Sequence, residues 1–476
     1  MQDLTSKTKK GLQWSAIERF LTQGIQLAIT LMLARLLGPT AFGLVGMLAV
    51  FIAVANVFVD SGFTSALIRK TDRSDSDLVT AFYYNILMSS LCYLALYFGA
   101  PYVADFYHQT ELQSLLRVLG VVVLINAFTL IPRLILTVAM DFKTQAKISI
   151  TSVLISGITA MVMAINGYGV WTLVVQTLLT AICTTLLFNL FVPWRPQGKI
   201  TKEAFSYLFG FGSKLLLSGL LDVIYNNLYQ IIIGKKFTPA VVGQFTQANQ
   251  LASVPAATMT GIIQRVTYPM FSHLQDDAAK MENAYRLTLK MAALVIFPLI
   301  IGLGLIAQPL LTELLGVQWQ PAASLLSVLC LGYMLYPIHA INLNLLQVKG
   351  RSDLFLKLEV IKKIIGVSIL FITIPFGVFA MCIGLGVTSY LALLLNTYYT
   401  AKLISFSQWQ QCKDLLPIWL SVIVSAALGY WAGYSLHIIP WLQMFVNLLV
   451  ALSCYILYLL LMQKPLLIQI RSILRR

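Results

Sequence analysis

Several sets of polar residues recur at helical spacing inside otherwise apolar sequence, and these residues could do chemistry. Arg19, Gln23, Gln26 and Thr30 step by four, three and four. Lys214, Ser218, Asp222, Asn226 and Tyr229 step by four, four, four and three, and Asn126, Thr129, Arg133 and Thr137 by three, four and four. Such steps place side chains on one face of an α-helix. Two further apolar stretches carry Gln247, Gln250 and Arg265, and Tyr336, His339 and Gln347. The chemistry on offer is recognition: guanidinium and ammonium groups hold anions, while amides and hydroxyls solvate polar groups. Asp60, Asp222 and His339 are candidates for ion coupling or for structure. His339 could carry a proton, since histidine titrates near neutrality, and a hydrogen-bonded packing role competes with that reading.

Catalytic patterns are missing. There is no Walker loop, no HExxH and no GxSxG, and no metal-ligand or cofactor motif. Asp75-Ser-Asp77 fits the DxD pattern that holds a metal–nucleotide sugar in many glycosyltransferases. Here it opens an apolar run from a nine-residue loop, where an aspartate caps a helix start. The six cysteines form no CxxC pair and read as small buried residues. The sequence therefore reads as that of a non-enzyme without cofactor.

The elements that must position the stripes follow from composition. Of 476 residues 58% are hydrophobic and only 11% charged, whereas a soluble domain carries about 25% charged residues. A membrane span needs about 20 largely apolar residues. Apolar runs near 12–36, 41–60, 79–103, 112–140, 147–165, 170–192, 203–233, 238–272, 284–308, 321–347, 355–376, 378–402, 417–437 and 441–463 predict an all-α polytopic membrane protein of about fourteen spans.

Each ionisable group inside a span would cost about 2.5–3.5 kcal/mol facing lipid at mid-bilayer. Such groups must snorkel, pair or line a wet cavity. Arg117, Lys290, Glu359, Lys362 and Lys363 lie near enough to predicted span ends to snorkel. Arg19, Arg133, Lys214 and Arg265 remain as a basic set, with Glu18, Asp60 and Asp222 as fewer opposing acids.

The connections alternate in charge. Twenty-two lysines and arginines fall in or beside one set of connections, both termini included, and three (Arg35, Lys235, Lys236) in the other. The positive-inside rule then predicts both termini in the cytoplasm. The net charge of +15 is mainly this topology signal. The basic residues form no single nucleic-acid-binding face. The tail, with Arg471, Arg475 and Arg476 among leucine and isoleucine, suits contact with membrane lipids. Orientation also places Arg19, Arg133, Lys214 and Arg265 in the cytoplasmic half, where excess cation suits an anionic substrate.

A shift of 200 residues lays Pro39-Thr-Ala-Phe-Gly43 over Pro239-Ala-Val-Val-Gly243, and a shift of 205 lays Pro132 over Pro337. Spans 1–6 and 7–12 would then be parallel repeats, which commonly enclose a site between them. The expected domains are 1–200, 201–405 and a C-terminal pair with its tail at 406–476. Pro132, Pro255, Pro269, Pro298 and Pro337 are expected to bend their helices.

The residues Lys7-Thr-Lys-Lys-Gly-Leu-Gln-Trp-Ser-Ala16, Ala34-Arg-Leu-Leu-Gly38 with Phe42-Gly43, Asp60-Ser-Gly62 with Ala66, and Ile263-Gln-Arg265-Val-Thr-Tyr-Pro269 with Leu274-Gln-Asp-Asp277 resemble those of bacterial polysaccharide exporters. The resemblance is to the Wzx-like polysaccharide transporter family, in the colanic-acid-exporter branch of the multidrug/oligosaccharidyl-lipid/polysaccharide (MOP) flippase superfamily, and covers nearly the whole chain.

It implies two six-helix lobes in a V around a central cavity plus two C-terminal helices. It also implies flipping of undecaprenyl-pyrophosphate-linked oligosaccharide toward the periplasm in the bacterial inner membrane, with a polymerase and export machinery as partners. Arg19, Gln23, Gln26, Arg133, Lys214, Asn226 and Arg265 are then expected to bind pyrophosphate and sugar, with a proton or sodium ion at Asp222. The alternative within the superfamily is a cation-coupled multidrug exporter.

Overall fold

Prolines and glycines decide where this chain's helices break. A computed structural model describes residues 2–436 and 438–464, with side chains described at Trp14, Glu18 and from Leu21 onward. His437 and the basic tail with Arg471, Arg475 and Arg476 lie outside the described residues. Among the described residues every regular element is helical. The chain forms two units, Met1–Gly243 and Gln244–Arg476.

In the first unit α1 (Gln2–Asp60) is one run long enough for two spans, kinked where Gly38 takes φ 75° ahead of Pro39. Ser61 and Gly62, at φ 44° and 70°, turn the chain into α2 (Phe63–Arg69). A capping box of Ser74 and Asp77 then starts α3 (Asp75–Tyr107). The fourth span is three pieces, α4 (Glu111–Leu119), α5 (Val121–Ala127) and α6 (Leu130–Val138), with a 43° bend before the last. Next come α7 (Phe142–Ile165), α8 (Trp171–Phe191) and α9 (Lys202–Lys236). Phe63, Leu67, Ile131, Leu134 and Leu208 form one core cluster, and Leu33, Ala160, Ala164 and Leu173 another. Gly157 of α7 leaves room for Ile29 of α1, so these helices approach closely.

The helix α10 (Pro239–His273) starts in the first unit and continues into the second. The second unit adds α11 (Ala278–Leu305), the short α12 (Ala307–Leu315), and a tenth span made of α13 (Gln320–Tyr333) and α14 (Tyr336–Val348). It then adds α15 (Ser352–Thr373), α16 (Gly377–Ala401), α17 (Gln408–Ser435) and α18 (Pro440–Met462). Ten of these stretches are long and apolar enough to cross a membrane, and the bent α4–α6 makes an eleventh. Two of the ten, Leu21–Arg69 and Ser352–Ala401, run for 49 and 50 residues, each long enough for two spans of about 20 residues. With α10, whose glutamines, asparagine and prolines dilute its apolarity, the described residues offer helix enough for the fourteen expected spans.

Both repeat signals have physical counterparts. A Cβ built on Gly43 would overlap the Pro239 carbonyl, and one on Gly243 would overlap the Pro39 carbonyl. The two Pro-x-x-x-Gly segments thus cross reciprocally, each glycine admitting the other's backbone. Pro132 and Pro337 each stand within three residues after a helix break, at α5–α6 and α13–α14. Proline cannot donate to the preceding turn and crowds it, so span 4 and span 10 are interrupted at matching places. Pro255 and Pro269 leave α10 continuous, and Pro298 does the same in α11.

The C-terminal helices are latched to the second unit. Gly429 and Gly433 of α17 admit Asn447 of α18 at distances no Cβ would allow, the close approach that small-xxx-small spacing gives membrane helices. Asp414 of α17 takes Arg286 at 2.5 Å and Lys290 at 2.9 Å from α11, and Tyr455 of α18 donates to the Leu294 carbonyl at 2.9 Å. The capping box of Ser407 and Gln410 starts α17 nine residues before the apolar run expected at 417, because Pro417 is tolerated inside it.

Candidate functional site

The DxD motif is a helix start. Both Asp77 carboxylate oxygens face the Lys70 ammonium, at 2.9 and 2.8 Å, and one also accepts from the Ser74 backbone and hydroxyl at 2.9 Å. The paired carboxylate pushes the Lys70 ammonium above its ordinary lysine value. With its lone pairs spent on Lys70 and Ser74, this carboxylate caps a helix. Among the described residues no group of three histidine, cysteine or carboxylate side chains is placed to hold a metal.

The stripe of span 4 divides by function. Thr129 meets Thr185 of α8 at 2.6 Å, and Thr137 accepts from Gln145 of α7 at 3.2 Å. These are helix-to-helix contacts. Arg133 lies between them on α6, one residue after Pro132. Its guanidinium stands 5.3 Å over the ring of the fully buried Phe188, a cation–π arrangement. It is exposed in the structure. Glu18 of α1 accepts from Ser149 of α7 at 3.1 Å. Arg133 of α6 thus rests on α8, while the Glu18 contact joins α1 to α7.

The other expected residues of that unit are placed as follows. Gln23 is exposed and Gln26 half-buried on α1, and Thr30 is buried. The Arg19 side chain lies outside the described residues. On α9, Lys214, Ser218, Asp222 and Asn226 are all accessible. This polar face lies about a third of a turn from the apolar face of Leu217, Leu221 and Ile224 at 100° per residue, which are 62%, 59% and 44% exposed. Asp60 accepts from Thr64 at 2.5 Å and so braces the α1–α2 turn.

In the second unit Arg265 is exposed on α10, and its neighbour Thr267 accepts from Asn344 of α14 at 2.7 Å. His339 is held at both ring nitrogens, Nε2 by Ser389 at 3.1 Å and Nδ1 by Asn396 at 3.3 Å. Ser389 donates onward to the Gly332 carbonyl at 2.9 Å, so a neutral ring with its hydrogen on Nε2 satisfies every partner. Lys290, expected to snorkel, instead pairs with Asp414.

The polysaccharide biosynthesis protein family model matches residues 32–324, more than half of the chain. The chain belongs to this family. Across 446 residues it is 26% identical to the lipopolysaccharide biosynthesis protein WzxC of Escherichia coli (strain K12), covering 90% of this chain and 88% of that one. It is 27% identical over 356 residues to the teichuronic acid biosynthesis protein TuaB of Bacillus subtilis (strain 168), covering 74% of each. Its fold is similar to that of the lipid II flippase MurJ in an inward closed conformation, with TM-score 0.69 at 16% identity over 93% of this chain and 98% of the other. It is also similar to an inward-facing multidrug resistance MATE transporter of the MOP superfamily, with TM-score 0.62 at 17% identity over 82% and 98%.

Within this family member the sequence reading missed two things. Phe188 and Ser149, which position Arg133 and Glu18, lie 55 and 131 residues from their partners in sequence, a separation no periodicity reveals. Glu359 and Lys362, expected to snorkel, sit near the middle of the 22-residue α15 and pair at 2.5 Å. A signal existed: Leu358, Lys362, Gly366 and Leu370 step by four, and the other three are buried, so the lysine interrupts a packing ridge.

Proposed function

We propose that this protein is a flippase that carries undecaprenyl-pyrophosphate-linked oligosaccharide repeat units from the cytoplasmic to the periplasmic leaflet of the bacterial inner membrane by alternating access. The observation that carries this reading is Arg133, an exposed guanidinium beside the break of span 4, in a chain of the polysaccharide biosynthesis family. An arginine fork binds phosphate oxygens bidentately. Arg19 and Lys214 add charge, and Gln23, Gln26 and Asn226 offer hydrogen bonds to the headgroup, while the prenyl chain stays in lipid.

Spans 1–6 and 7–12 act as the two lobes, and α17–α18 as an added pair. The lysine and arginine bias supports cytoplasmic termini. Asp222, accessible in the α9 stripe, is the candidate ion-coupling residue. The polymerase and export machinery would consume the product. The MATE-like fold favours a second reading, export of small drugs; basic residues such as Arg133 ill suit cationic drugs.

The test is flipping of lipid-linked oligosaccharide in cells carrying Arg133→Ala or Arg265→Ala at normal membrane abundance. Loss of surface polysaccharide with accumulation of the lipid-linked precursor is expected. Full export by both variants would refute the assignment, and an unchanged lipid-linked pool with altered drug sensitivity in cells lacking the protein would favour the second reading.

A further inference from the structure

Between Tyr336 and Gln347 of α14, the side chains with accessible surface are Tyr336, His339, Leu343 and Gln347; every other one is buried. Their steps of three, four and four make one face. A face turned to lipid would be apolar, but this one presents a phenol, an imidazole and an amide beside a single leucine. Such a face suits water or a polar ligand better than lipid chains. Tyr336 is 47% exposed on a helix whose other sides are packed, and its ring lies 5.6 Å from that of Tyr333, whose hydroxyl donates to Asn249 at 2.7 Å.

Across from this face α15 contributes charge. The Lys362 side chain is only 15% exposed and holds Glu359. α15 packs directly on α14, so the pair stands on the helix next to this face. It brings donors and acceptors with no net charge, which is poor chemistry for a pyrophosphate and good chemistry for hydroxyl groups. An accessible aromatic ring beside a helix carrying a neutralised ion pair is a lining that suits a flat apolar patch edged with hydroxyls. The face also starts at the α13–α14 break, the counterpart of the α5–α6 break beside Arg133. Interrupted helices at matching places in two repeats mark binding positions in transporters.

We propose that Tyr336, Gln347, Glu359 and Lys362 form a saccharide subsite in the second unit, separate from the anion-binding Arg133. The Tyr336 ring stacks on the C–H face of one pyranose, Glu359 and Lys362 hydrogen-bond its hydroxyls, and Gln347, about 16 Å further along α14, serves another sugar of the oligosaccharide. His339 is a positioning residue, since Ser389 and Asn396 engage both of its nitrogens. The subsite rests on the flippase reading and names where the sugar, as opposed to the lipid phosphate, is held.

The experiment compares binding of two probes to the detergent-solubilised full chain: undecaprenyl pyrophosphate without sugar, and lipid-linked oligosaccharide extracted from cells lacking this protein. The wild type is expected to bind the glycolipid more tightly. Tyr336→Ala, and the charge-neutral Glu359→Gln/Lys362→Met double variant, should weaken glycolipid binding roughly tenfold, the loss typical of truncating a contact aromatic, and leave the bare lipid unchanged. Tyr336→Phe keeps the ring and should keep glycolipid affinity, which separates stacking from folding. Equal affinity of the wild type for both probes, unchanged glycolipid binding in the variants, or equal weakening of both probes would overturn the subsite and leave the flippase reading standing. Wild-type binding of neither probe would overturn both.

Discussion

Two hydroxyl hydrogens serve two buried amide oxygens in the second unit, which makes the cost of removing one of them calculable. Tyr285 of α11 donates toward Asn342 Oδ1 of α14 at 2.7 Å and Gln411 Oε1 of α17 at 2.9 Å. Thr400 of α16 reaches the same two oxygens at 3.0 and 3.4 Å. Asn342, Gln411 and Thr400 are all at 0% exposure, as is Tyr285. Tyr285→Phe keeps the ring and deletes one hydrogen, so one buried carbonyl oxygen loses its donor, at a cost of about 1–3 kcal/mol. In a Gln411→Leu background the second oxygen is gone and Thr400 satisfies Asn342 alone. The same Tyr285→Phe change should then cost below about 0.5 kcal/mol, leaving a coupling of about 1–2 kcal/mol between positions 285 and 411. The four proteins of this double-mutant cycle can be compared by reversible unfolding in mixed detergent–SDS micelles. Equal destabilisation by Tyr285→Phe in both backgrounds would refute the two-hydrogen account and reduce the cluster to independent contacts.

Three further outcomes are expected. Gly43→Val and Gly243→Val should each destabilise the protein by about 1–3 kcal/mol through overpacking, since each side chain would meet the opposing proline carbonyl; Gly99→Ala, which enters open space, is the neutral control, and thermal unfolding in detergent ranks the three. Gly433→Leu should separate α17 from α18 by colliding with Asn447, read as loss of engineered cysteine cross-linking between the two helices. Lys362→Met alone should lower thermal stability more than Glu359→Gln/Lys362→Met, because the single change strands a carboxylate; a double variant that melts below the single one would argue against the pairing.

The membrane-spanning helices were legible in the sequence because membrane solvation is a local constraint. Every backbone polar group in lipid must be satisfied within its own helix, so apolar run length alone marks the spans, and Gly38-Pro39, Pro132 and Pro337 mark breaks that need no partner. The stripes carrying Arg133 and Tyr336 were legible for the same reason, since helical periodicity is a property of one segment. Tertiary structure alone decided what each stripe does. Thr129 and Thr137 share a face with Arg133 but spend their polarity on Thr185 and Gln145, and only packing against α7 and α8 separates the helix-joining residues from the accessible one. Glu359 and Lys362 read as span-end charges, and the structure pairs them with each other near the middle of α15. The sequence by itself determined which residues a membrane could not hide; the packing of one helix on another determined which of them are satisfied by protein and which stay accessible, because that depends on partners tens to hundreds of residues away.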